Sequence, residues 1–316
     1  MSKGKQSTGG GRGGKSRGSA SKRGSGTGRS SGSQNFNQRG GRSNSVPKGR
    51  RSSTGGEDTY MGARDAIKRG IGGDIVEGRH AVRELLIAGR RRVKELTLAD
   101  DLDSAPILDE IVDLANDAHV PMRYVTRSKF EHAARSQGAQ GVLAVAAELP
   151  ETKLEDMVRR SDGPPFLLLV DGVTDPGNLG ALLRTAVCAG VTGVVLPRHR
   201  AVHITPTVAK AAAGAIEHLS IASVAGLPAA MTKLTELEVW TVGLDTVSEQ
   251  KLWGLPQANG PVALVLGAEG KGVSPLVRKR CDVVVTIPMS GPLDSLNVSA
   301  AGALALFEVS RAREEN

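Results

Sequence analysis

An α/β protein is predicted, with the second half of the 316-residue chain built around a parallel sheet. Short, almost unbroken apolar runs recur there: FLLLVDG, GVVLP, LSIASV, VWTVGL, VALVLG and VVVTIP. Stretches with helical spacing separate them, at residues 179–189, 206–217, 227–237 and 275–280. Strands apolar on both sides and alternating with helices belong to a parallel sheet covered on both faces. Thr205 and Ser274 suit helix N-caps, each followed by proline at the first helical position.

The preceding residues, 74–148, read as a smaller α/β domain. GRHAVRELLIAG is a helix ended by Gly89, and VKELTLA is a strand. PILDEIVDLANDA puts Ile107, Ile111, Leu114 and Ala115 on one helical stripe. VPMRYV and GVLAVAA are further short strands. Residues 149–164 form a linker with at most one helix, and residues 165–316 form the second domain.

Residues 1–73 are Gly, Ser, Arg and Lys for the most part and cannot bury enough apolar surface to offset chain entropy, so disorder is expected. The first 56 residues carry 13 Lys or Arg and no Asp or Glu. That leaves 28 of the 41 basic residues against all 33 acidic ones in the remainder, a net of −5 beneath a strongly basic tail. Arg-Gly-Gly steps at Arg12 and Arg39 resemble RNA-binding tails that grip phosphate. A merely solubilising extension is the alternative.

No window approaches eighteen consecutive apolar residues, which gives a membrane-spanning helix no support. The N-terminus lacks the apolar region of a signal peptide. Cys188 and Cys281 are far apart, with neither metal-binding nor disulfide spacing, which fits a reducing cytoplasm and two small buried core residues.

Ligands of parallel sheets sit beyond the carboxyl ends of the strands, which singles out residues 171–178, 267–272 and 288–297. LVLGAEGKGV, residues 264–273, looks like a strand ending in a loop that holds something against its backbone. A phosphate loop would need Ser or Thr after Lys271, where Gly272 stands, and the spacing of Gly267, Gly270 and Gly272 is wrong for a dinucleotide fingerprint. In the first loop, Asn178 sits where an N-cap belongs. Arg184 follows about 9 Å up the axis, with its side chain leaning back over the first turn. A capping asparagine and a surface arginine are the plain alternatives. In the last helix Val298, Ala301, Gly302 and Ala305 mark one face, and Leu304 with Phe307 mark another. Burial on both sides, against the sheet and a second subunit, is expected.

DPGNLGALLRTA, LGAEGKG and IPMSGPLDSLNVS resemble, in order and spacing, the three motifs of the SpoU (TrmH-like) RNA ribose 2′-O-methyltransferases of the SPOUT class. The match covers about residues 166–313. It implies a trefoil-knotted parallel-sheet domain. Residues 74–148, with EGRHAVRELL and AQGVLA, resemble that family's substrate-binding domain, which has an L30e-like ribosomal-protein fold. The resemblance further implies S-adenosyl-L-methionine at Gly267, Ile287 and Leu296, with Met289 and Gly291 close by, and the apolar members of this set could sandwich an adenine. It makes Asn178, Arg184, Glu269 and Asn297 catalytic, Arg184 and Ser299 substrate-binding, and the enzyme a metal-free homodimer on structured RNA. The branch it looks most like acts on guanosine in large-subunit ribosomal RNA. Transfer-RNA methylation and a non-catalytic RNA-binding assembly factor are the alternatives. The other common methyltransferase signature, an acidic residue before G-x-G-x-G, is absent.

Overall fold

The computed structural model describes residues 71–198 and 203–315. The expected basic tail lies outside them except for its last three residues, which are ordered: Ile71 is buried, and the Gly73 N–H donates to the Ile204 carbonyl at 2.9 Å.

Four strands, β1 (Ile75–Glu77), β2 (Val93–Ala99), β3 (Met122–Val125) and β4 (Val142–Ala146), form a sheet in the order β1-β4-β2-β3. The pairs are antiparallel except for β2 with β3. Three helices accompany it: α1 (Arg79–Ala88), α2 (Pro106–Asp117) and α3 (Arg127–Ala133). Gly89 ends α1 in the left-handed conformation at φ 58°, where glycine bears no Cβ penalty. The α2 stripe is turned slightly from the expected one. Leu108, Ile111 and Ala115 are buried, whereas Ile107 and Leu114 pack only at its margin. The brief β1 and α3 carry too few turns or alternations to announce themselves in the sequence.

After a single linker helix, α4 (Leu154–Arg159), comes the larger sheet. Its strands are β5 (Phe166–Asp171), β6 (Gly193–Pro197), β7 (Ile221–Val224), β8 (Trp240–Leu244), β9 (Val262–Gly267) and β10 (Val283–Val285). They lie in the order β10-β8-β9-β5-β6-β7, every neighbouring pair parallel. Helices α5 (Pro176–Cys188), α6 (Pro206–Ala211) and α9 (Val298–Glu314) belong to the core of one face, with Leu168, Leu182, Leu183, Leu264 and Leu306. The other core gathers α4, α7 (Leu227–Glu236) and α8 (Pro275–Arg280), with Leu167, Leu169, Met231, Leu234 and Val265. Each fully buried leucine stabilises the fold by roughly 1.5–3 kcal/mol.

The helix expected over residues 206–217 is broken. It stops at Ala211, passes through Ala213 and Gly214 at positive φ, and resumes as one 3-10 turn, Ala215–His218. A Cβ on Gly214 would lie 2.5 Å from that of Glu84 on α1, so the chain turns tightly where it meets the small sheet's helix. At this meeting point Arg91 and Glu217 form an ion pair with side chains only 2% and 1% exposed. Removing one member of such a pair typically costs about 3–5 kcal/mol, because the other charge is stranded.

The cysteines depart from expectation. Cys188, the last residue of its helix, is exposed rather than buried. Cys281 is half-buried, and burial, reinforced by the Asp282 charge, pushes its thiol up to about 12. At pH 8 only ~10⁻⁴ of a thiol with that pKa is the reactive thiolate. A thiol reagent at pH 8 should therefore modify one cysteine of the folded protein, Cys188, and both after denaturation. Rapid loss of both thiols from folded protein would contradict the packing around Cys281.

Candidate active site

Strands β5 and β9 pair over their full lengths, with Asp171 opposite Gly267 at their carboxyl ends. The two following loops therefore begin side by side. The Asp171 carboxylate accepts from the Ser274 N–H at 2.7 Å, so Ser274 is held by its backbone at the start of α8 and makes no side-chain cap. Thr205 does cap, accepting from the Val208 N–H at 3.3 Å. The first loop is capped by Asp175 rather than Asn178. The Asp175 carboxylate accepts from the Asn178 N–H at 2.7 Å, and the helix starts earlier than expected because Pro176 fits its first position.

Released from capping, the Asn178 side chain becomes a bridge. Its amide nitrogen donates to Glu269 Oε2 at 3.1 Å, and its oxygen accepts from Asn297 Nδ2 at 3.0 Å. Asn297 also reaches Glu269 Oε1, at 3.4 Å. Its own oxygen caps α9, accepting from Ser299 N–H at 2.9 Å and from the Ser299 hydroxyl at 2.5 Å. Three side chains, from the first turn of α5, the 267–272 hairpin and the cap of α9, thus meet in one hydrogen-bonded cluster.

The second loop folds back on its own start. Ala268 and Gly272 exchange backbone hydrogen bonds of 3.0 and 2.8 Å, with Gly270 and Gly272 at positive φ. A Cβ on Gly267 would lie 2.0 Å from the Gly272 carbonyl carbon, which makes glycine obligatory. Beside this hairpin opens a cleft of about 280 Å³. Its walls include Lys271 together with Gly267, Glu269, Ile287, Met289 and Leu296, so these last five, all expected site residues, share one cavity. Its size and its mixture of apolar walls with backbone polar groups suit a small organic ligand. Met289 and Leu296 are each 39% exposed, and apolar side chains left open at a cavity mouth have a ligand to gain by covering them.

Other candidates lie apart. Gly291 is exposed and is not among the residues lining the cleft. Arg184 is exposed two turns along α5, and among the described residues no hydrogen bond or ion pair joins it to Glu269. The sequence reading overlooked Leu244, Asp245 and Thr246, which follow β8 into the cleft. Asp245 is held there by Arg278 Nε at 2.9 Å and by the Val247 N–H at 3.0 Å. Their only signal was a position at the end of a strand, and nothing local to that strand says that it lies next to β9.

Comparison with known proteins adds family evidence to this geometry. Residues 165–307 match the SpoU rRNA Methylase family, and residues 75–152 match the RNA 2′-O ribose methyltransferase substrate-binding model. The chain is 39% identical over 243 residues to the 23S rRNA (guanosine-2′-O-)-methyltransferase RlmB of Pseudomonas putida, covering 76% of this chain and 96% of that one. It is 37% identical to the putative TrmH family tRNA/rRNA methyltransferase YacO of Bacillus subtilis, with the same coverage. Among solved structures it shares its fold with the SpoU methyltransferase AviRb of Streptomyces viridochromogenes in complex with AdoMet, at TM-score 0.65 and 21% identity, covering 77% of this chain and 91% of that one. A putative TrmH-family RNA methyltransferase of Porphyromonas gingivalis aligns at TM-score 0.60 and 27% identity, over 75% and 89% of the two chains.

Replacing Gly267 with alanine must push the 267–272 hairpin open, because the atoms it meets are backbone. Calorimetry with S-adenosylmethionine should register no binding to Gly267→Ala, while the circular dichroism spectrum stays that of the wild type. Binding within about threefold of wild type, less than 1 kcal/mol, would show that the hairpin does not form the cofactor seat.

Proposed function

Because the chain belongs to the SpoU rRNA methylase family, we propose that it methylates the ribose 2′-hydroxyl of a guanosine in large-subunit ribosomal RNA, using S-adenosylmethionine. The observation that carries this reading to individual residues is the meeting of Asn178, Glu269 and Asn297 beside the glycine hairpin. A protein that only bound RNA would have no need of such a cluster at the mouth of a small-molecule cleft. The printed functions of the RlmB relatives support the ribosomal substrate, and the match of residues 75–152 to a substrate-binding model supports an RNA-holding role for the small domain. The YacO relative, described for either transfer or ribosomal RNA, favours transfer RNA as the second reading.

The hairpin 267–272 with Ile287, Met289 and Leu296 would seat the cofactor, glycine admitting close main-chain approach and the apolar side chains flanking an adenine. When bound, S-adenosylmethionine supplies an electrophilic methyl group on a cationic sulfur. The remaining work falls to this chain. A ribose hydroxyl is a weak acid, so its developing alkoxide must be stabilised as its proton leaves. Arg184 is suited to that by its positive charge, which acts by electrostatics rather than as a base. Asn178, held by Glu269 and Asn297, orients the ribose without reorganising. Ser299, whose hydroxyl donates to Asn297 Oδ1, would hold the nucleotide together with Asn297.

The same reading includes the family's knot, a homodimer and a cytoplasmic location. Among the described residues no helix is long and apolar enough to cross a membrane. For the dimer, the support is α9, whose Leu304 and Phe307 are 43% and 48% exposed while Ala305, Leu306 and Val309 are buried.

Methylation of unmodified 23S ribosomal RNA by the purified protein, with mapping of the 2′-O-methyl position, tests the function, and transfer confined to tRNA would move the assignment to the second reading. Arg184→Ala should slow single-turnover transfer by ~10²–10³ and leave cofactor affinity unchanged, as expected for loss of one transition-state contact. A rate within threefold of wild type would remove Arg184 from the site. Leu304→Asp combined with Phe307→Asp should convert a dimer to a monomer in light scattering, since the paired subunits would otherwise bury unpaired charge. An unchanged mass would place the interface elsewhere.

A further inference from the structure

A buried charged joint, distinct from the cleft, connects the two sheets. Arg91 precedes β2 and is 8% exposed, while Glu217 lies in the 3-10 turn between α6 and β7 and is 1% exposed. The guanidinium meets the carboxylate in two-pronged fashion, Nε at 3.0 Å and Nη2 at 2.6 Å. Its remaining nitrogen, Nη1, donates to the carbonyls of Gly73 and Ala147. Gly73 leads into β1 and Ala147 follows β4, so one side chain ties the entry and the exit of the small domain to the large one. Neighbouring contacts repeat the theme. Arg90 Nη1 donates to the Glu217 and Leu219 carbonyls at 2.9 Å, and His218 Nε2 lies 2.9 Å from Glu84 on α1. Lys210 on α6 donates to the Gln137 carbonyl.

None of these groups enters the cleft or the chemistry, and cohesion alone would not require them. Apolar surfaces hold two bodies together just as well and tolerate sliding. A buried bidentate pair does not tolerate it, because a shift of about an ångström leaves a desolvated charge short of its partner. We infer that Arg91 and Glu217 are positioning residues for methyl transfer: they lock the RNA-holding domain at one angle to the cleft. The modified ribose is then set by a fixed span from the RNA feature that the small domain grips. The consequence for RNA rests on the methyltransferase reading above, whereas the lock itself does not.

The test uses the full chain with two variants. Arg91→Met combined with Glu217→Leu fills the joint with apolar side chains, and Glu217→Gln keeps its shape without the charge. The double variant should bind S-adenosylmethionine as wild type does. The Gly73 amide, which bonds across to Ile204, should lose roughly tenfold or more of its hydrogen-exchange protection while amides of the β5–β9 pair keep theirs, the pattern of a local rather than a global opening. The Michaelis constant for ribosomal RNA should rise about tenfold with kcat changed less than about threefold, a loss of binding geometry rather than chemistry. Methylation should also spread to neighbouring riboses. Glu217→Gln should shift each readout in the same direction by less, and it decides the matter if the double variant fails to fold. Unchanged protection of Gly73, or loosening with the Michaelis constant and methylation site both unaltered, would overturn the inference. If wild-type protein methylates no RNA, the functional reading falls, and the exchange measurement still decides the lock.

Discussion

The parallel register of β5 against β9, from Phe166 opposite Val262 to Asp171 opposite Gly267, is the constraint on which the candidate site depends. It brings two chain segments almost a hundred residues apart to the same height at the same sheet edge. From that shared level the Asp171 carboxylate reaches the Ser274 N–H, and Asn178 reaches Glu269. A one-residue slip would turn every β9 side chain to the other face and remove Gly267 from a place where the hairpin backbone leaves no room for a side chain. Both strands are buried on both faces, so the slip is opposed by two cores at once.

The cleft combines rigid and open parts. Its floor is strand backbone and a hairpin closed by two hydrogen bonds, while Met289 and Leu296 remain partly exposed at its edge. Asn178, Glu269 and Asn297 are held by one another, with Asn297 fixed in turn as a helix cap. Groups that must act on a weakly acidic hydroxyl gain from such prior placement, because they need no reordering when charge develops. Arg184 is built differently. It stands exposed on a helix whose leucines are buried, a position from which a long cation can meet an RNA backbone as well as a ribose.

The joint around Arg91 extends the same logic to larger scale. Its hydrogen bonds run to Gly73 and Ala147 on one domain and to Glu217 on the other. The positive-φ Gly214 allows the 3-10 turn that carries Glu217 to press against α1. Directional polar contacts thus set the relation between two units whose individual stability comes from separate apolar cores.

By itself the sequence determined what consecutive residues can encode: the apolar runs of the larger sheet, the helices between them, the cap at Thr205, and the glycines of the 267–272 hairpin. The motifs were legible because each loop's chemistry lies within a dozen residues. Only the tertiary structure decided which loops meet. Asn178 and Asn297 are 119 residues apart, and Arg91 and Glu217 are 126 apart. Asp245 enters the cleft because β8 lies beside β9, which strand composition does not state. Asp175 displaced Asn178 as the cap, and the 206–217 helix broke at Gly214, where contact with α1 overrode local propensity. Hydrophobic period and capping are properties of neighbouring residues, whereas strand order and buried charge pairing follow from the free energy of the whole chain, in which residues distant in sequence share one desolvated space.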